Sequence, residues 1–139
     1  MANSDQTIDM TLLAQEIFKI FPNVYGAYLF GSAASGELRP ESDLDIALLQ
    51  IGALLPEDVL CLKATVSQKF RRDTDIIDLY RADSVTAAQV VTTGIEILSA
   101  KRLKMAEFET MALSRYALLN EERAEILKDI QATGNIYGR

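Results

Sequence analysis

The chain has 139 residues, 49% of them apolar, with 14 basic and 20 acidic side chains, no histidine and a single cysteine. This is the length of one ordinary domain that can bury a core without staples, and the net charge of -6 makes it a poor generic binder of nucleic acid, so no direct DNA binding is expected. The absence of histidine excludes Ser-His-Asp and Cys-His nucleophilic schemes and His-ligated metals, and lone Cys61 excludes a disulfide framework or a Cys-rich zinc site.

Leu13, Ile17, Ile20 and Phe21 recur at spacings of three and four, which predicts an amphipathic helix over 9–21 that Pro22 closes. Val24 to Phe30 (VYGAYLF) is rich in β-branched and aromatic residues and predicts a buried strand. The stretch GSAASGELRPESD is a loop or short capped turn shaped by Gly36 and Pro40, and Asp43 to Leu49 (DLDIALL) is a second strand. Val59, Leu62, Val66 and Phe70 share one face of a helix over 57–70, with Pro56 in a helix-starting position and Cys61 expected as a small core residue. After the polar break RRDT, Asp75 to Ala82 predicts a third strand. Ser84 is expected to cap a short helix to about Thr92, with Gly94 stopping it before the apolar piece IEILS.

The longest helical pattern runs from about Leu103 to Ala132, with Ala112, Leu119, Ile126 and Ile130 in register and a tail GNIYGR containing Tyr137. Residues 1–100 hold 7 basic and 14 acidic side chains and 101–139 hold 7 and 6, so the acidity lies in the first part. The expected architecture is α+β: a small mixed sheet with helices packed on it and a long C-terminal helix. One domain is expected over 1–139, with 1–100 as the core and 101–139 as a helical extension. No apolar segment approaches the roughly 18 residues of a membrane span, and no leader pattern opens the chain, so a soluble cytoplasmic protein is expected.

The chemistry concentrates in LFGSAASGELRPESDLDIALL. Asp43 and Asp45 lie two apart on a predicted strand, so both carboxylates leave one face, where they repel each other unless a cation sits between them. Mg²⁺ suits such a pair, because it takes few carboxylates and completes its shell with water and phosphate oxygens. Gly31-Ser32 at the end of the preceding strand offers close backbone approach and a hydroxyl donor to an anion, and Arg39 adds a planar donor within phosphate reach. The third predicted strand adds a carboxylate from Asp75 or Asp78; three residues apart, the two cannot face the same way. Three carboxylates holding two metals opposite a triphosphate cradle make a two-metal nucleotidyl-transfer site, with the third acid as ligand and general base.

The spacing G-S, ten residues, D-x-D and a carboxylate on a later strand resembles the DNA polymerase β-type nucleotidyltransferase superfamily. The short chain is similar to its minimal nucleotidyltransferases (MNT), which pair with HEPN proteins. The resemblance implies that Gly31 and Ser32 hold the nucleotide triphosphate and that Asp43 and Asp45 bind Mg²⁺. It favours Asp75 as the third catalytic and metal-binding carboxylate, with Asp78 as the alternative. It further implies an antitoxin of a type VII HEPN/MNT toxin–antitoxin system that moves AMP from ATP onto a tyrosine of its HEPN ribonuclease toxin.

Two rival functions follow from the same residues. A nucleotidyltransferase acting on RNA or on a small molecule such as an aminoglycoside would ordinarily carry an added acceptor-binding domain, for which 139 residues leave little room. A binding-only antitoxin would have no need of all three carboxylates. Tyr25, Tyr28 and Tyr80 read as core aromatics, with one of them or Arg81 as a candidate base-stacking group, while Lys101, Arg102 and Lys104 read as a solvated face.

Overall fold

A computed structural model of the protein describes residues 8–36, 39 and 42–133. The elements in chain order are α1 (Met10–Ile20), β1 (Gly26–Phe30), α2 (Ser32–Ser35), β2 (Leu44–Leu49), α3 (Pro56–Phe70), β3 (Thr74–Asp78), a 3₁₀ turn (Leu79–Arg81), α4 (Ser84–Thr93), β4 (Ile95–Ser99) and α5 (Arg102–Thr133). The strands form one mixed sheet in the order β3-β2-β1-β4. β1 pairs antiparallel with both β2 and β4, and β2 pairs parallel with β3.

Alternation along the strands sorts the apolar residues into two cores, one on each side of the sheet. On one side, Leu44, Ile46 and Leu48 of β2 pack with Ala27 and Leu29 of β1, under Leu13 and Ile17 of α1 and Leu62 and Val66 of α3. On the other, Ala47, Leu49 and Tyr28 meet Ala87 and Val90 of α4 and Met105, Phe108 and Ala112 of α5. Gly26 makes the α5 contact possible: a Cβ there would lie 2.3 Å from the Met105 sulfur. The Tyr28 hydroxyl donates to Glu109 at 2.6 Å, tying α5 to the sheet centre with a charge-assisted bond.

Several expectations are corrected by this packing. The third strand stops at Asp78, because residues 79–81 turn into a 3₁₀ segment that buries Leu79. IEILS is a strand, β4, which the shortness and Gly94 boundary of that piece left without a partner in sequence. The cap of α4 is Asp83 rather than Ser84, its carboxylate accepting from the Thr86 N–H at 2.7 Å. Cys61 is exposed, since the buried stripe of α3 follows Leu62 and Val66 and adjacent helix positions diverge by about 100°.

In α5 the expected register is buried toward its N-terminal part and grows exposed along the helix. Ala112 is buried with Met105 and Phe108 and Leu119 is half-buried, but Ile126 is 59% exposed. Pro40 and Tyr137 lie outside the described residues. No helix among the described residues is long and apolar enough to cross a membrane.

Candidate active site

The parallel register of β2 and β3 sets Asp45 directly beside Asp75, while the antiparallel register of β1 and β2 sets Phe30 on its other flank. Asp43 immediately precedes β2, and its charge lies near enough to Asp45 to act on that carboxyl. Asp45 is half-buried and Asp43 and Asp75 are exposed, which makes this end of the sheet face a solvent-open rim of three carboxylates. Asp78 falls opposite Leu48, on the side of the first core, and pairs with Arg81 at 3.1 Å. The structure therefore brings Asp43, Asp45 and Asp75 together and does not bring Asp78 to them.

Burial, and then the charges of Asp75 and Asp43, push the Asp45 carboxyl above its ordinary range. The two neighbouring carboxylates thus add to the cost of burial in disfavouring the Asp45 anion. Among the described residues no three acidic or cysteine side chains form a ready-made metal cage. An open rim still suits Mg²⁺, which binds through one or two carboxylates and takes its other ligands from water and substrate phosphates.

Gly31 follows β1 with φ 73° and ψ -144°, a conformation essentially restricted to glycine. Its missing side chain is also a spatial requirement, since a Cβ would stand 2.2 Å from Oδ2 of Asp45. The backbone there swings over the carboxylate and into α2, whose first N–H groups have no intrahelical acceptors. Ser32 opens that turn, half-buried, and its carbonyl accepts the Ser35 hydroxyl at 3.2 Å. Gly36 closes α2 in the left-handed conformation at φ 83°.

Arg39 is exposed, and among the described residues its guanidinium has no hydrogen-bond or ion-pair partner. Its main chain is held: the Arg39 N–H donates to the Ser42 hydroxyl at 3.0 Å and the Arg39 carbonyl accepts from Arg72 at 2.6 Å. Arg72 is a residue that the sequence presented only as part of a polar break. It is 6% exposed, and the only signal for it was a basic residue next to a strand start.

The candidate stacking groups are engaged elsewhere. Tyr28 is buried against Glu109, and Arg81 binds Asp78 and the Ile51 carbonyl while lying 5.6 Å from the Tyr80 ring centroid. Tyr80 is 40% exposed rather than core, because the 3₁₀ turn that buries Leu79 rotates it outward. With Tyr25 it lines a cavity of about 230 Å³ toward the Leu49 end of β2, away from the carboxylate rim. Lys101, Arg102 and Lys104 are exposed as expected, with Arg102 between Glu96 and Glu109.

A mixed sheet that presents an Asp-x-Asp pair and a neighbouring-strand aspartate beside a Gly-Ser turn defines a nucleotidyltransferase fold. The chain belongs to the polymerase beta nucleotidyltransferase family, whose profile matches residues 14–103. It is 32% identical over 111 residues to the protein adenylyltransferase MntA of Shewanella oneidensis, a match spanning 80% of this chain and 79% of the relative. Among solved structures it is similar to a chain of a toxin–antitoxin complex with AMP-PNP (TM-score 0.75, 27% identity, 89% of this chain and 99% of that one). It is also similar to a chain of the complex between a tri-AMPylated Shewanella oneidensis HEPN toxin and its MNT antitoxin (TM-score 0.65, 28% identity, 88% and 98%).

Proposed function

We propose that this chain is the antitoxin of a HEPN/MNT pair, a protein adenylyltransferase that moves AMP from ATP onto a tyrosine of its HEPN toxin and so inactivates it. The observation that carries the reading is the register that sets Asp75 beside Asp45 at the point where Gly31 passes over the Asp45 carboxylate. The relatives support the acceptor class: one is a protein adenylyltransferase, and another is seen with its AMPylated toxin.

Asp43, Asp45 and Asp75 would hold Mg²⁺, two ions in the usual arrangement of such sites, which when bound supplies neutralising charge to the triphosphate and acidity to the acceptor hydroxyl. The chain's own residues do the rest. Gly31 admits the triphosphate close to the backbone, and Ser32 donates its hydroxyl and N–H to phosphate oxygens. Arg39 would supply a planar donor to a phosphate oxygen. The tyrosine oxygen forms a bond to the α-phosphorus in line with the departing pyrophosphate oxygen, and its proton passes to the Asp75 carboxylate.

The test is transfer from ATP labelled on the α-phosphate, with Mg²⁺ and the purified HEPN protein encoded with it, beside an Asp43→Asn/Asp45→Asn control. Label on a toxin tyrosine that vanishes in the control is the expected result. Label on RNA or a small molecule instead would replace the acceptor, and neutralisation of the toxin by the double variant without any label would make the protein a binding-only antitoxin.

A further inference from the structure

Arg72 is nearly inaccessible, yet among the described residues its guanidinium meets no carboxylate. Burying a charge without an ionic partner is costly, and a neutral residue of similar volume would serve the core better. What the guanidinium does instead is hold main chain. One terminal nitrogen, Nη1, donates to the Arg39 carbonyl at 2.6 Å and to the Ser42 carbonyl at 2.9 Å. Arg39 and Ser42 close a turn on each other, through Ser42 N–H to the Arg39 carbonyl at 2.9 Å and Arg39 N–H to the Ser42 hydroxyl at 3.0 Å. Arg71, left-handed at φ 56°, ends α3 immediately before Arg72.

The consequence falls on Asp43. On its N-terminal side the Ser42 carbonyl is clamped by Arg72. On its C-terminal side the Leu44 N–H donates to the Asp73 carbonyl at 2.9 Å and the Leu44 carbonyl accepts the Thr74 hydroxyl at 2.7 Å. Residues 72–74 thus fix the backbone on both sides of one exposed carboxylate and lead directly into Asp75, the acid paired with Asp45. We propose that Arg72 is a positioning residue that presets Asp43 for metal binding, through the Ser42 carbonyl next to it, and holds the Arg39 carbonyl at the same time. The inference rests on the function proposed above, in which Asp43 is a metal ligand.

The role is distinct from general stabilisation because Arg72 acts on the ligand set without touching it, as outer groups of metal sites do when they orient first ligands. The experiment measures Mn²⁺ binding to the full chain in the presence of AMP-PNP, from loss of the free-ion electron paramagnetic resonance signal. The proteins compared are wild type, Arg72→Met, Arg72→Lys and the destabilised control Lys69→Met, which lies in the last turn of α3 but pairs with Glu16 of α1 rather than with the backbone around Asp43, each at a temperature where circular dichroism shows it folded. Arg72→Met is expected to weaken Mn²⁺ binding about 10-fold or more, the usual consequence of losing an orienting partner. Arg72→Lys, which keeps the charge but carries its nitrogen on a shorter side chain that does not reach both carbonyls, is expected to fall between, with Lys69→Met at wild-type affinity.

If Arg72→Met does not fold, Arg72→Lys carries the test, and Mn²⁺ affinity equal to wild type overturns the proposal. Affinity that falls in Lys69→Met as far as in the Arg72 variants also overturns it, since the effect would then follow stability alone. Wild type that binds neither Mn²⁺ nor AMP-PNP would instead refute the proposed function, and the role of Arg72 with it.

Discussion

Replacing Gly31 with alanine separates the fold from the site at a single atom. At φ 73° and ψ -144° an L residue is strained by about 1–3 kcal/mol. The new Cβ would also lie 2.2 Å from Oδ2 and 3.2 Å from Cγ of Asp45, both atoms of a movable side chain. The carboxylate can swing away for a further ~0.5–1.5 kcal/mol of rotamer strain, so the sheet survives and the carboxylate rim is what changes. For a chain of this length the sum lowers the melting temperature by roughly 5–15 °C. Misplacing a reacting group by about 1 Å is worth on the order of 100-fold in rate, so AMP transfer measured well below the lowered transition should fall by about that factor. Thermal unfolding and α-labelled ATP transfer on the same preparation read the two effects separately. A variant that melts lower yet transfers AMP at the wild-type rate would show that the Gly31–Asp45 approach does not govern the chemistry, and an unchanged melting temperature would refute the backbone argument.

Asp45→Asn should move stability and function in opposite directions. An acid whose folded-state pKa is raised contributes stability below its unfolded value near 3.8 and loses it as pH rises through the folded value, so Asp45 is a liability at pH 7. Melted in chelator at pH 7, the variant should be more stable than wild type while transferring no AMP; lower stability would remove the repulsion argument. Glu16, buried at 5% exposure, accepts from Lys69 at 2.8 Å and Lys19 at 3.3 Å, and the Lys69 bond chiefly holds its carboxyl below the ordinary value of 4.5. Its contribution is present above pH 4.5 and lost as pH falls through the depressed value, so Lys69→Met should melt below wild type at pH 7, and the gap should close as Glu16 is protonated. A gap independent of pH would assign the loss to packing. Tyr28→Phe removes a hydrogen bond to the Glu109 carboxylate and should cost about 1.5–3 kcal/mol in denaturant unfolding, with AMP transfer retained; a cost under ~0.5 kcal/mol would mean that Arg102 and water satisfy Glu109 unaided.

Sequence by itself determined what is local. The apolar stripes of α1 and α3 follow from spacings of three and four, and the D-x-D pair at the entrance to a strand is read from residue type and spacing, with no knowledge of any neighbour. Residue type alone makes Gly31-Ser32 a turn that a phosphate can approach, and the resemblance to nucleotidyltransferases rests on the same positions together with the aspartates. The choice between Asp75 and Asp78 was not local. Both sit in one strand with opposite directions, and only the pairing of β3 alongside β2 puts Asp75 next to Asp45 and turns Asp78 toward Arg81. β4 is not legible for a related reason, since a five-residue apolar piece becomes a strand by bonding to β1, about 70 residues earlier in the chain. Tertiary structure likewise decided that Cys61 faces solvent, that Leu118, Ile126 and Leu127 of α5 lie exposed, and that Arg72 is drawn inward to two carbonyls. A side chain's type travels with the sequence, whereas its partners are set by which distant backbone groups the register brings within about 3 Å, and the carboxylate rim and its clamp are built from such pairings.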